Sequence, residues 1–136
     1  MEVTIDDGSA AAAAEFMAVE WPPYNAAHGI EWVPQDILLI ANPEQPIGVA
    51  CGTVVGGVGE LKQILVKSGT DKRGVGSQLL AEFERRCRTL SCHKLRLETA
   101  DFQARPFYEK HGFAVAVTLT NDRFGRDVFV MEKRLG

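Results

Sequence analysis

Residues 60–90 read ELKQILVKSGTDKRGVGSQLLAEFERRCRTL, and this stretch decides the fold. Glu60 to Val66 is a strand-length run ending in the apolar pair Leu65-Val66, and a loop over residues 67–72 leads to Gly74-Val75-Gly76. A helix follows, because Leu79, Leu80, Phe83, Cys87 and Leu90 recur at helical spacing and form one apolar stripe. Arg85, Arg86 and Arg88 fall on its outer, solvated face. Lys94 to Glu98 then alternates Leu95 and Leu97 with charged residues, as a half-buried strand does. Strand, helix, strand in this order is a crossover, so strands 60–66 and 94–98 are expected as parallel neighbours.

Upstream, two apolar runs, Ile37 to Ala41 and Ile47 to Val55, flank Asn42-Pro43-Glu44-Gln45-Pro46 as a hairpin, and a second hairpin turns at Gly56 to Gly59. Before them, the sequence predicts a short strand over Val3 to Ile5 and a helix from Ala10 to about Val19, ended by Pro22-Pro23, then a loop from Tyr24 to Pro34. Downstream come a short helix over about Gln103 to His111, with Gly112 as its terminator, and two strands, Ala114 to Leu119 and Asp127 to Lys133. The class is α+β: one domain over residues 1–136, a mixed central sheet with antiparallel N-terminal strands, and helices on both faces.

The charge is unevenly placed. Nine acids and no Lys or Arg occupy residues 1–60, whereas all 15 bases and the other nine acids follow, giving −9 and +6 for a net charge of −3. A basic face for nucleic acid could draw nothing from the first 60 residues, which argues against a nucleic-acid binder. No apolar run approaches the ~20 residues that span a bilayer, and the acidic start lacks the basic region of a signal peptide. Three Cys without paired spacing suit a reducing cytoplasm, and Cys92-His93 has no metal-ligand spacing, so no metal is expected.

Chemistry is concentrated where Lys72-Arg73 precede Gly74-Val75-Gly76. Glycine lets backbone approach a ligand, and the unpaired first-turn amides with the helix dipole favour an anion such as a pyrophosphate. The alternative is a tight loop that needs glycine for conformation alone. A dinucleotide fingerprint would need a third Gly where Leu79 stands, and a Walker A loop would need Gly-Lys-Ser/Thr.

Over residues 47–135 the chain resembles the GCN5-related N-acetyltransferase (GNAT) superfamily, in particular its small bacterial members. Asp71-Lys72-Arg73-Gly74-Val75-Gly76 matches the family's acyl-CoA loop, with Asp71 where Gln or Arg is usual. Asp101, Ala104, Tyr108, Gly112 and Phe113 match its second motif, with Asp101 where Asn is usual. The resemblance implies a splayed parallel strand pair that takes the pantetheine arm of acetyl-CoA along the backbone of Ile64, Leu65 and Val66. It implies a pyrophosphate seat from Lys72 through Ser77, further cofactor contacts at Asp101, Ala104 and Phe107, and Tyr108 as the general acid that protonates the leaving thiolate. Glu60, at the start of its strand, is either the general base that deprotonates an amine or an exposed strand-end carboxylate.

The function this implies is transfer of an acetyl group from CoA to a primary amine by direct attack in a ternary complex, on a small molecule or a peptide. The alternative is a non-catalytic acyl-CoA-binding or sensing module of the same fold. A homodimer is in keeping with the family. Trp21, Tyr24 and Trp32 either wall the acceptor site, drawing a cation to their ring faces, or serve packing.

Overall fold

The computed structural model describes residues 1–70 and 74–136. The chain divides into two compact units, Met1–Val33 and Pro34–Gly136. The first unit is one helix, α1 (Ala10–Ala26), with its flanking segments. Ser9 caps it by accepting from the Ala12 amide at 3.1 Å. Val3 to Ile5 take no strand conformation; they are exposed and bury nothing against a partner. Pro22 and Pro23 lie inside α1 and do not end it, and Tyr24 is helical rather than in a loop. No residue of α1 is buried, so the carbonyls that two prolines leave without donors are solvated, which lowers the usual cost of proline in a helix.

The second unit is built on a six-stranded mixed sheet of order β1-β2-β3-β4-β6-β5. Its strands are β1 (Gln35–Ala41), β2 (Gly48–Val55), β3 (Val58–Val66), β4 (Lys94–Ala100), β5 (Ala114–Leu119) and β6 (Val128–Arg134). Only β3 and β4 run parallel, as the crossover through α2 (Val75–Thr89) requires. Their register pairs Val58 with Lys94 through Leu61 with Leu97 and then stops, although β3 continues to Val66 and β4 to Ala100. Beyond Leu61 the two strands part.

Helix α2 lays Leu79, Leu80, Phe83 and Cys87 on the sheet, where Phe83, Cys87, Leu95, Leu97 and Met131 are all but inaccessible. A side chain at Gly52 would overlap the Glu60 carbonyl oxygen and fall 2.8 Å from the Phe83 ring, so glycine is what lets that ring rest on the strand. On the outer face Arg85 and Arg86 pair with Glu82, and Arg88 with Glu84. The helix ends in a Schellman cap: Ser91 takes φ +62°, and the Cys92 amide donates to the Cys87 carbonyl at 2.9 Å. Cys87 and Cys92 are both buried. Burial, followed by the Cys92 contact, pushes the Cys87 thiol up to about 12, and burial also raises Cys92. Both therefore resist iodoacetamide at pH 8 in the folded protein, as peptide mass mapping after native and denatured labelling would show.

The short helix α3 (Arg105–Lys110) packs on the same face as α2, because Tyr108 and Phe113 share one core with Leu80 and Phe83. Among the described residues of this unit both α-helices lie on that face, while the short 3-10 helix Arg123–Gly125 lies beside the other. The other face carries Glu60, Lys62, Lys94, Arg96, Glu98 and Glu132, which water can solvate.

Candidate active site

The parted strands create the first half of the site. β3 is paired with β2 up to Val66 and Gly48, but its edge toward β4 is unpaired after Leu61, so main-chain groups around Ile64 to Val66 face an opening. Leu65 projects beside it, 69% exposed. At the end of this strand the first turn of α2 arrives. Gly74 sits at φ +74°, a left-handed conformation that suits glycine, and the first helical hydrogen bond runs from Gln78 N to the Gly74 carbonyl at 2.9 Å. The amides of Val75, Gly76 and Ser77 therefore precede the helical ladder. A Cβ at Gly76 would meet the Phe107 ring at 3.5 Å and Val66 at 3.7 Å, so β3, α2 and α3 converge at that glycine. These features fit an extended acyl-CoA arm with its pyrophosphate at the helix start. Asp71, Lys72 and Arg73 lie outside the described residues.

Tyr108 is positioned by local chemistry. Gly112 adopts φ +92°, and the Phe113 amide reaches back to the Tyr108 carbonyl at 3.1 Å, which is a second Schellman cap. Its usual apolar contact is here the edge-to-face packing of Tyr108 on Phe113, with ring centroids 5.8 Å apart. Tyr-x-x-x-Gly-Phe is thus a helix terminator that buries its own tyrosine. Tyr108 is 7% exposed, no side-chain oxygen among the described residues is both buried and unpaired, and no hydrogen bond of its hydroxyl is found among them. The hydroxyl therefore keeps a solvent-facing opening, and burial raises its pKa, so it holds its proton at neutral pH.

Ala104 stands at the N-cap of α3, its amide donating to the Thr99 hydroxyl at 3.3 Å. Thr99 is 3% exposed and lines a cleft of about 670 Å³ that includes the ends of β3 and β4 where they part and extends over the polar face of the sheet. Glu60, Lys62, Arg96 and Glu98 floor this cleft, and Phe102, Leu119, Asp122, Arg123 and Phe124 wall it. Glu60 is thereby in a pocket of mixed charge; Tyr108 is not among its lining residues.

Trp21 and Tyr24 stack edge to face at 5.5 Å on α1, and with Trp32 all three are more than half exposed. Asp101 ties down the β5–β6 connection: Arg126 Nε donates to one carboxylate oxygen at 2.7 Å and the Asp127 amide to the other at 3.4 Å, and the Arg126 bond holds its pKa down. His111 looks isolated in sequence, yet its Nε2 lies 3.0 Å from the Ser77 hydroxyl and its ring 4.8 Å from Phe107. No local spacing signals that contact, since 34 residues separate the pair.

A family model, Acetyltransferase (GNAT) family, matches residues 9–113. The chain belongs to the GNAT acetyltransferases. The match runs across both compact units. Among solved structures, the GNAT chain is similar to an acetyltransferase from Bacillus cereus ATCC 14579, at 24% identity and TM-score 0.81, covering 98% of each chain. A candidate acetyltransferase from Agrobacterium tumefaciens gives 23% identity and TM-score 0.81 over 99% of this chain and 100% of that one. A candidate streptothricin acetyltransferase from Bacillus anthracis str. Ames, in complex with acetyl coenzyme A, gives 20% identity and TM-score 0.68 over 76% and 65%. Comparison with curated proteins returns no match. No helix among the described residues is long and apolar enough to cross a membrane.

Proposed function

We propose that this GNAT chain moves an acetyl group from acetyl-CoA to a primary amine by direct attack in a ternary complex. The parting of β3 from β4 beside the glycine-marked start of α2 carries this reading. Acetyl-CoA supplies an activated acyl group and a thiolate leaving group. The chain's part is to hold and to move protons. The free edge at Ile64 to Val66 would pair with the extended arm as an added strand, and an amide near Leu65 or Val66 would polarise the thioester carbonyl. The amides of Val75 to Ser77, with Lys72 and Arg73, would take the pyrophosphate, and Phe107 would wall the arm beside Gly76. Tyr108 would give its proton to the departing sulfur, and Glu60 would take one from the acceptor ammonium, whose ordinary pKa near ~10.4 leaves it charged and non-nucleophilic.

A screen of thiol release over a polyamine, an aminoglycoside and a short peptide tests the reading; no acetyl-CoA binding and no release with any amine would sink it. Glu60→Gln should cut kcat/KM for the amine by roughly 10²-fold with acetyl-CoA affinity retained, and a parental rate would return Glu60 to the role of an exposed strand carboxylate. Free Cys51, Cys87 and Cys92 favour a reducing cytoplasm. Apolar side chains exposed on α1 at Phe16 and Val19 favour a homodimer, which light scattering would read.

A further inference from the structure

The polar face of the sheet holds an arrangement that the motifs do not mention. Glu60 on β3 and Arg96 on β4 are register partners in the parallel pair. Both project from the face opposite α2, because Leu61, Leu95 and Leu97 beside them are buried under that helix. Neighbouring strands lie about 4.8 Å apart, so a guanidinium there reaches a facing carboxylate, and opposite charges so placed ordinarily pair. Here they do not. Arg96 Nε donates to Glu132 Oε2 at 3.0 Å, toward its register partner on β6, the opposite neighbour of β4. Lys94 Nζ lies 2.9 Å from the same oxygen. Among the described residues no ion pair or side-chain hydrogen bond of Glu60 is found.

The remaining groups around Glu60 leave it equally open. Thr53 faces it from β2, but its hydroxyl donates to Asp36 on β1 at 3.2 Å. Lys62 follows on its own strand, Glu98 stands on β4 where the strands have parted, and Asp122 and Arg123 line the far wall of the cleft.

We propose that Glu132 is a positioning residue for the acceptor side: by holding Arg96 toward β6, it keeps the guanidinium off Glu60 and leaves that carboxylate free to receive a proton from the incoming ammonium. The kinetic half of this inference rests on Glu60 as the general base; the structural half does not. Without the Glu132 charge, Arg96 swings to its other register partner, Glu60, and there lowers its basicity and covers the oxygen that the acceptor must reach. Lys94 remains on the same face in either case.

The test is carried out on the full chain with Glu132→Gln, the double variant E132Q/R96Q, and Glu60→Gln. Carbon-detected NMR follows the Glu60 carboxyl through a pH titration, without acceptor. In E132Q its midpoint should move to lower pH by about one unit, and in the double variant it should return to the parental position. An unmoved midpoint in E132Q overturns the proposal. So does a shift that persists in the double variant, since loss of a merely structural brace would not be repaired by removing its partner. Thiol release with the most active amine of the panel supplies the second readout. E132Q should lose roughly tenfold in kcat with the KM for acetyl-CoA unchanged, and R96Q should restore most of that loss. If the midpoints behave as stated but E60Q keeps the parental rate, the Arg96 switch stands and the general-base assignment falls.

Discussion

Tyr108→Phe is expected to lower kcat for acetyl transfer by roughly 10²-fold and to leave both the fold and acetyl-CoA binding in place. Phenylalanine preserves the ring packing on Phe107 and Phe113, at 5.2 and 5.8 Å between centroids, and with it the apolar half of the α3 cap. Only the hydroxyl is lost. That hydroxyl makes no hydrogen bond found among the described residues, so its removal orphans no buried partner, the usual source of a stability penalty in such a change. What disappears is a proton held by a phenol whose pKa burial has raised. The loss should therefore sit in kcat, with the KM for acetyl-CoA and the calorimetric Kd within a few-fold of the parent. A variant that turns over at the parental rate would remove Tyr108 from the chemistry, and one that no longer binds acetyl-CoA would make it a wall of the site.

Phe83→Ala is expected to destabilise the chain by about 3–5 kcal/mol, the largest stability effect predicted for it. Phe83 has no accessible surface, and its ring rests where a Gly52 side chain would otherwise stand. Nothing at Gly52 can move in to fill the space, so the cavity persists and its lining loses contacts outright. Urea unfolding followed by far-UV circular dichroism reads the effect as a fall in midpoint at unchanged slope. Phe83→Leu, which keeps much of the volume, should cost markedly less. A loss below about 1 kcal/mol for the alanine variant would show that α2 does not depend on this contact.

How much of this was legible beforehand depended on the range of the interaction. The helix stripe Leu79, Leu80, Phe83, Cys87 and the alternation Leu95, Leu97 place the helix and strand that flank the cleft, because both signals act within a few residues. Tyr108-x-x-x-Gly112-Phe113 is legible for the same reason: a Schellman cap closes over six residues, and glycine at its left-handed position is a local demand. Pro22-Pro23 misled as a terminator, since the cost of proline depends on whether the carbonyls it strands can reach water, and exposure is not a local property. The engagement of the Asp101 carboxylate by Arg126 was not legible either, because 25 residues separate the pair.

By itself, then, the sequence determined the local elements from Ile37 onward, the crossover that makes β3 and β4 parallel, and the chemical kinds of group present: a glycine-rich helix start, a capped tyrosine, a glutamate on the strand before it; β3 itself begins two residues earlier than expected, at Val58, so Glu60 lies within the strand. Tertiary structure alone decided where the two strands part, that Ser77 meets His111, and that Arg96 turns to Glu132 rather than to Glu60. Those outcomes depend on strand register and on which neighbour claims a charge first. The groups concerned lie 34 and 36 residues apart in the two bonded pairs, and no period of 2 or 3.6 residues carries information over that distance.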